Sequence, residues 1–470
     1  MAVSLPLSGG IKSSGSRREP APTPTSGKMS GLTSAATNSI ALPLAFIVTG
    51  LLALFSGAIW LVAQPEILTA YHYSPQTVAL THLFALGWLC SVVMGAMYQL
   101  VPVALETKLF SERLAKIQFA FHVAGFAGMV LAFRVWNMKF VAAFGTVFAL
   151  GVALFIYNVA RTLWRIPKWN VIAVAVASAL VWILLTVTAG LLIAAAKSGH
   201  ADFMFHFSPI AAMHAHAHLG ALGFFTMLVV GISYKLIPMF TLSEIQNHQR
   251  ALASVILLNV GIAGAFVSIL LQSRLKPLAA LIVITALVIY GTELRAILRA
   301  RKRRTLDWGV TGFLTATALL APLSMLALVL SWPRLPLNPF TGQLENVYGF
   351  GGFIGVISFA VIGMLYKIIP FLIWFGTYSR HIGRAKIPAL ADMYSAAWQR
   401  FGYWTFLAAL VVAIFGILFS NAIAARTSCI LFAASLATLA VNVGNILSHY
   451  FQPRLQPLDF AVKSPVTRRT

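Results

Sequence analysis

A 21-residue pattern recurs along this chain, and it limits the possible folds more than any other feature. The first copy starts at His82 and continues through Gly87, Gly95 and Tyr98 to Pro102. The second starts at His218 and continues through Gly223, Gly231 and Tyr234 to Pro238. The offsets from the histidine are the same in both, at 5, 13, 16 and 20 residues. A third copy keeps those offsets but starts on Phe350, running through Gly355, Gly363 and Tyr366 to Pro370. The copies lie 136 and 132 residues apart, so the chain reads as three similar units. His82 and His218 are then equivalent positions, each inside an apolar stretch.

Those stretches are long enough to cross a bilayer. The chain is 59% hydrophobic and 10% charged, where a soluble domain carries about 25% charged residues. A transmembrane helix needs about 20 apolar residues. Twelve stretches qualify: 39–63, 76–103, 115–136, 138–164, 169–196, 208–240, 248–272, 276–300, 306–332, 345–376, 398–420 and 424–450. The expected fold is an all-α polytopic membrane protein, and the copies fall on spans 2, 6 and 10 to give three pseudo-symmetric groups of four helices. Residues 1–38 are rich in Ser, Gly, Thr and Pro, with no apolar core of signal-peptide type, and read as a disordered cytoplasmic tail. Residues 39–450 form the membrane domain and 451–470 a basic cytoplasmic tail. Cys90 and Cys429 lie in apolar runs and read as buried, inert thiols.

Basic residues set the expected orientation. With the N-terminus inside, all of the 34 Lys and Arg fall on inner segments except Arg134, Lys139, Lys197, Arg274, Lys276, Arg334 and Arg426. The positive-inside rule then puts both termini in the cytoplasm, as in a bacterial inner-membrane protein. The net charge of +23 mostly expresses this bias. The run Arg299-Ala-Arg-Lys-Arg-Arg304 is read as contact with anionic lipid of the bilayer, not nucleic acid.

The histidines carry the functional signal. Twenty residues of helix, from His82 to Pro102, span about 30 Å, so the histidine lies in the outer half of the membrane and the proline at the inner edge. At about 100° per residue, Gly87, Gly95 and Tyr98 lie at about 140°, 220° and 160° from His82. Glycines and tyrosine thus form a face for helix contact, and the histidine points away from it. In Met213-His-Ala-His-Ala-His218, His214 and His218 share a face and His216 lies opposite. His200, Asp202 and His206 precede them in an outer loop. His122 lies in span 3, His72 before span 2, and His248, His381 and His449 near inner ends. An intramembrane histidine is costly unless bonded. Repetition favours ligation for His82 and His218, because neutral imidazole is a common haem and copper ligand. A lone residue such as His122 is more simply a hydrogen-bonded structural group, and His200 and His206 can be merely solvated.

With these residues placed, the chain resembles subunit I of the haem–copper oxidases (the cytochrome c oxidase subunit I superfamily), and the related NnrS-type haem- and copper-containing membrane proteins. The resemblance implies twelve spans in three groups of four, with His82 as an axial ligand of a low-spin haem. It implies a copper ligand among His214, His216 and His218. The departures are large. Span 7 lacks the family's His-His pair and span 10 lacks its His-x-His. No oxygen-reducing centre of the family's kind can be assembled, and the helix interiors lack carboxylates for proton pumping, Glu293 being the deepest acidic group.

Two functions fit. One is a haem b protein handling electrons or a gas (NO or O2), with an iron between His82 and one of His218, His216, His214 or His122, a cytochrome or quinol as electron donor, and oxidoreductase-like chemistry. A copper or zinc at His206, His214 and Asp202 would accompany it. The other is a transporter or metal-handling protein using the outer histidine cluster. No CxxCH occurs, so covalent c-type haem is excluded.

Overall fold

A computed structural model describes residues 40–200, 206–336 and 338–457. The expected tail 1–38, the last thirteen residues and Asp202 lie outside the described residues. Within them, twelve helices are long and apolar enough to cross a membrane. They are α1 (Ala41–Ala63), α2 (Pro75–Ala104), α3 (Glu112–Arg134), α4 (Met138–Leu163), α5 (Val171–Lys197) and α6 (Pro209–Thr241). The second half comprises α7 (His248–Leu270), α8 (Lys276–Arg299), α9 (Trp308–Leu330), α10 (Pro339–His381), α11 (Ala396–Leu418) and α12 (Ala422–Phe451). The protein is an all-α, polytopic, integral membrane protein. Short polar residues start most of these helices by accepting a backbone N–H. The three repeat helices share one device, a capping residue followed by proline: Ser74-Pro75, Ser208-Pro209 and Asn338-Pro339.

In each unit the first helix packs on the second and the third on the fourth. Contacts of α4 with α5, α8 with α9 and α12 with α1 close the units into a ring. The repeat helices α2, α6 and α10 occupy the middle. Their most apolar stretches are 67%, 67% and 78% buried, against 17–50% for the other nine helices. The glycine face predicted from the spacing meets the neighbouring helix. A Cβ at Gly95 would lie 2.5 Å from Phe46 Cβ of α1, one at Gly231 would collide with Ala175 of α5, and one at Gly363 would lie 2.6 Å from the Gly309 carbonyl of α9. Small residues let these backbones approach closely.

One feature departs from the straight-helix reading. Immediately after each repeat's first residue the helix widens into a π segment, at Leu83–Cys90, Leu219–Thr226 and Gly351–Ser358. Hydrogen bonds there run i→i+5, so the 100°-per-residue reckoning does not carry through them. Such segments are rare and concentrate at functional sites. The π segment of α10 packs against those of α2 and α6.

A second internal correspondence binds the outer helices of each unit. Asn158 of α4 accepts from Ser111 N at 3.0 Å and donates to Ser111 O at 2.8 Å. Asn442 of α12 does the same to Ser395, at 2.9 and 3.1 Å. In the middle unit Glu293 of α8 accepts from Gln246 N at 2.7 Å and Asn247 N at 3.0 Å, and pairs with Arg250 at 2.6 Å. In all three units the buried side chain stands 47 residues after the backbone it holds. Glu293 is therefore a structural clamp. Beyond α12, Arg454 N donates to Tyr378 Oη at 2.9 Å and Gln456 pairs with Lys386, so the start of the basic tail is anchored.

Candidate functional site

The widened helices enclose a cavity of about 590 Å³ near the end of the bundle where α2, α6 and α10 begin. That volume lies within the ~300–1,000 Å³ typical of ligand and cofactor sites. Its walls are mainly apolar, and His72, His82, His214, His216 and His218 all line it, as does Phe350.

Three of these imidazoles have one nitrogen committed. His82 Nδ1 lies 2.8 Å from Val78 O, His216 Nδ1 2.9 Å from Thr186 O, and His218 Nδ1 2.7 Å from His214 O. A carbonyl only accepts, so each Nδ1 carries the proton and each Nε2 keeps a lone pair. For His218 that lone pair accepts from the Tyr348 hydroxyl at 3.3 Å. His82 and His216 both line the cavity, with ring centroids 6.5 Å apart and planes 14° from parallel. Phe133 packs on His82, at 4.3 Å between centroids. Gly190 of α5 makes room for His216, because a Cβ there would come 2.9 Å from His216 Cε1.

The remaining imidazoles form a second group. His214 Nε2 lies 3.2 Å from His72 Nε2, and His72 Nε2 lies 3.8 Å from Glu345 Oε2. Burial lowers the pKa of His72 below the ordinary histidine value, opposed in part by Asn346 beside it. His72 is therefore neutral at neutral pH, with a lone pair to offer.

The structure brings together four of the sequence-predicted site residues, His82, His214, His216 and His218. It sets His122 apart, buried outside the cavity among Phe46, Phe126 and Phe148, with Nε2 2.7 Å from Ser91 Oγ. His206 is exposed and does not line the cavity. His449 bonds Tyr378 Oη at 2.8 Å, far along the chain from this group. Sequence reasoning missed Glu345, Tyr348, Thr186 and Gly190, and assigned no role to His72. One signal was available: His72, His214 and Glu345 all shortly precede the start of a repeat copy. No protein-family model matches the chain, and comparison with curated proteins finds no match.

Proposed function

We propose that this membrane protein binds one b-type haem between His82 and His216, and that the haem serves electron transfer or the handling of a diatomic gas such as NO or O2. The spacing of that histidine pair carries the reading. An imidazole nitrogen bonds a metal at about 2 Å, so two rings on opposite sides of one iron have centroids about 6 Å apart. The observed 6.5 Å between centroids is close to this spacing, and both rings hold their Nδ1 protons on backbone carbonyls, which leaves each Nε2 available to a metal. Backbone bonds of this kind fix the tautomer and orient a ligand. Of the other partners open from the sequence, His218 is engaged by Tyr348, His214 faces His72, and His122 lies outside the cavity.

The residues present fit the group. The cavity is apolar and of suitable volume, and Lys197 on its wall offers a cation to a propionate. Phe350 and Phe133 would wall the macrocycle. When bound, haem supplies reversible one-electron chemistry, with a potential set by its axial ligands and surroundings. The protein's own contribution is to hold two imidazoles near parallel, with their Nδ1 protons on backbone carbonyls. A distant kinship with haem–copper oxidase subunit I is part of this proposal, with one difference: the second ligand comes from α6, because α10 carries Phe350. The basic-residue bias supports cytoplasmic termini and an outward-lying haem; a cytochrome or quinol donor is part of the proposal.

The test is the visible spectrum of protein purified with added haem. Wild type should give a low-spin spectrum. His82→Ala and His216→Ala should each abolish it, and His218→Ala should retain it. An unchanged spectrum in His216→Ala overturns the pairing. A wild-type protein that takes up no haem overturns the reading and favours the metal-handling alternative.

A further inference from the structure

We propose that His72, His214 and Glu345 form a tetrahedral site for a divalent metal of the zinc class, to which each of the three repeat units contributes one ligand. The candidate ligand atoms lie within 4.8 Å of one another. His72 comes from the loop before α2, His214 from the first turns of α6 and Glu345 from the first turns of α10. The site is independent of the haem proposal, since it uses neither His82 nor His216.

The distance between the two imidazoles allows both to bind one metal. Two nitrogens each about 2.0–2.1 Å from one metal stand about 3.3 Å apart at a tetrahedral angle and about 2.9 Å apart at a right angle. The observed 3.2 Å between His72 Nε2 and His214 Nε2 lies within that range, and the two-histidine, one-carboxylate donor set is of the kind zinc takes. Glu345 Oε2, at 3.8 Å from His72 Nε2 and within 4.8 Å of the His214 ligand atom, needs to move toward both imidazoles to complete the set. Two histidines and a glutamate leave a fourth position open to water or to a ligand in the cavity. This differs from a site built on the outer loop at His206 and Asp202.

The loop that carries His72 is already fastened to α10 on both sides of Glu345. Gln343 Nε2 donates to Thr69 O at 3.1 Å, and Asn346 Nδ2 donates to Ala70 O at 3.0 Å. His214 is tied back through its carbonyl, which accepts from His218 Nδ1. These bonds preorganise the ligands as supporting contacts do around metal sites. Lys276, whose charge acts on both His214 and Glu345, opposes a cation there.

The test is zinc binding by the full chain in detergent, read by competition with a chelating dye. Wild type should bind one equivalent. His72→Ala and Glu345→Gln should each weaken binding by about tenfold or more, the scale seen when a metal site loses supporting groups. Lys276→Met should tighten it, an outcome that a misfolded variant cannot imitate. His82→Ala should bind zinc as wild type does, which separates this site from the haem. Co2+ in place of zinc should give the strong visible absorption of a tetrahedral ion. Wild-type-like zinc binding in both His72→Ala and Glu345→Gln, or only the weak absorption of six-coordinate Co2+, would overturn the proposal.

Discussion

The first two units and the third share a frame but differ at its first residue. The π segment, the glycines and the tyrosine recur in α2, α6 and α10 alike, yet α10 has Phe350 where the others have His82 and His218. The widened turn therefore does not exist only to seat a histidine. It shapes the wall of a central cavity, and the histidines are a function laid over two of three equal frames. The third frame contributes differently, through Tyr348 against His218 and Glu345 beside His72.

A sharp way to break this comparison is to disturb the clamp that the units share. Glu293→Ala removes the ionic version of the clamp and leaves Arg250 and two backbone N–H groups without their acceptor. Breaking a fully buried pair costs about 3–5 kcal/mol, and the lower end applies because Arg250 is half-buried. Asn442→Ala, in the neutral version, should cost about 1–3 kcal/mol. Thermal melts in detergent compare the two, and equal losses would mean that the ion pair adds nothing.

The shared frame can be tested through its glycines. Gly95→Leu, Gly231→Leu and Gly363→Leu should each destabilise by about 1–3 kcal/mol through overpacking. If the frame is common, the variant in the unit without a repeat histidine should lose as much stability as the other two. A harmless Gly363→Leu would separate the third unit from its mates.

The smallest effect is expected at Phe350. Phe350→Leu keeps an apolar wall and should change stability by under about 1.5 kcal/mol. The low-spin spectrum of haem-loaded protein should survive it. Loss of the spectrum would make the third unit's aromatic residue essential to the site.

Much of the fold was legible because each span exceeds twenty residues, is mostly apolar, and few charges interrupt it. The start of α10 was missed: the sequence reading begins at 345, whereas the helix begins at Pro339. Gln343 falls outside that span and Glu345 and Asn346 stand at its first two positions, yet all three sit in the first turns of a helix with a polar task. The π segments were illegible because the repeat fixes offsets, not hydrogen-bond register. The clamps formed by Asn158, Glu293 and Asn442 escaped notice because they pair with neighbouring backbone, outside the 21-residue pattern. Among the site residues, the cluster in α6 was visible as spacing. His72 and Glu345 needed three dimensions, because their partners are distant in sequence.

The central claim is that two nearly parallel imidazoles, His82 and His216, flank one iron. Electron paramagnetic resonance of the oxidised, haem-loaded protein reads that angle directly. Planes 14° from parallel predict a rhombic low-spin signal, which His216→Ala should abolish and His218→Ala should leave in place. A high-spin signal from wild type, or a highly anisotropic low-spin signal of perpendicular rings, would contradict the account.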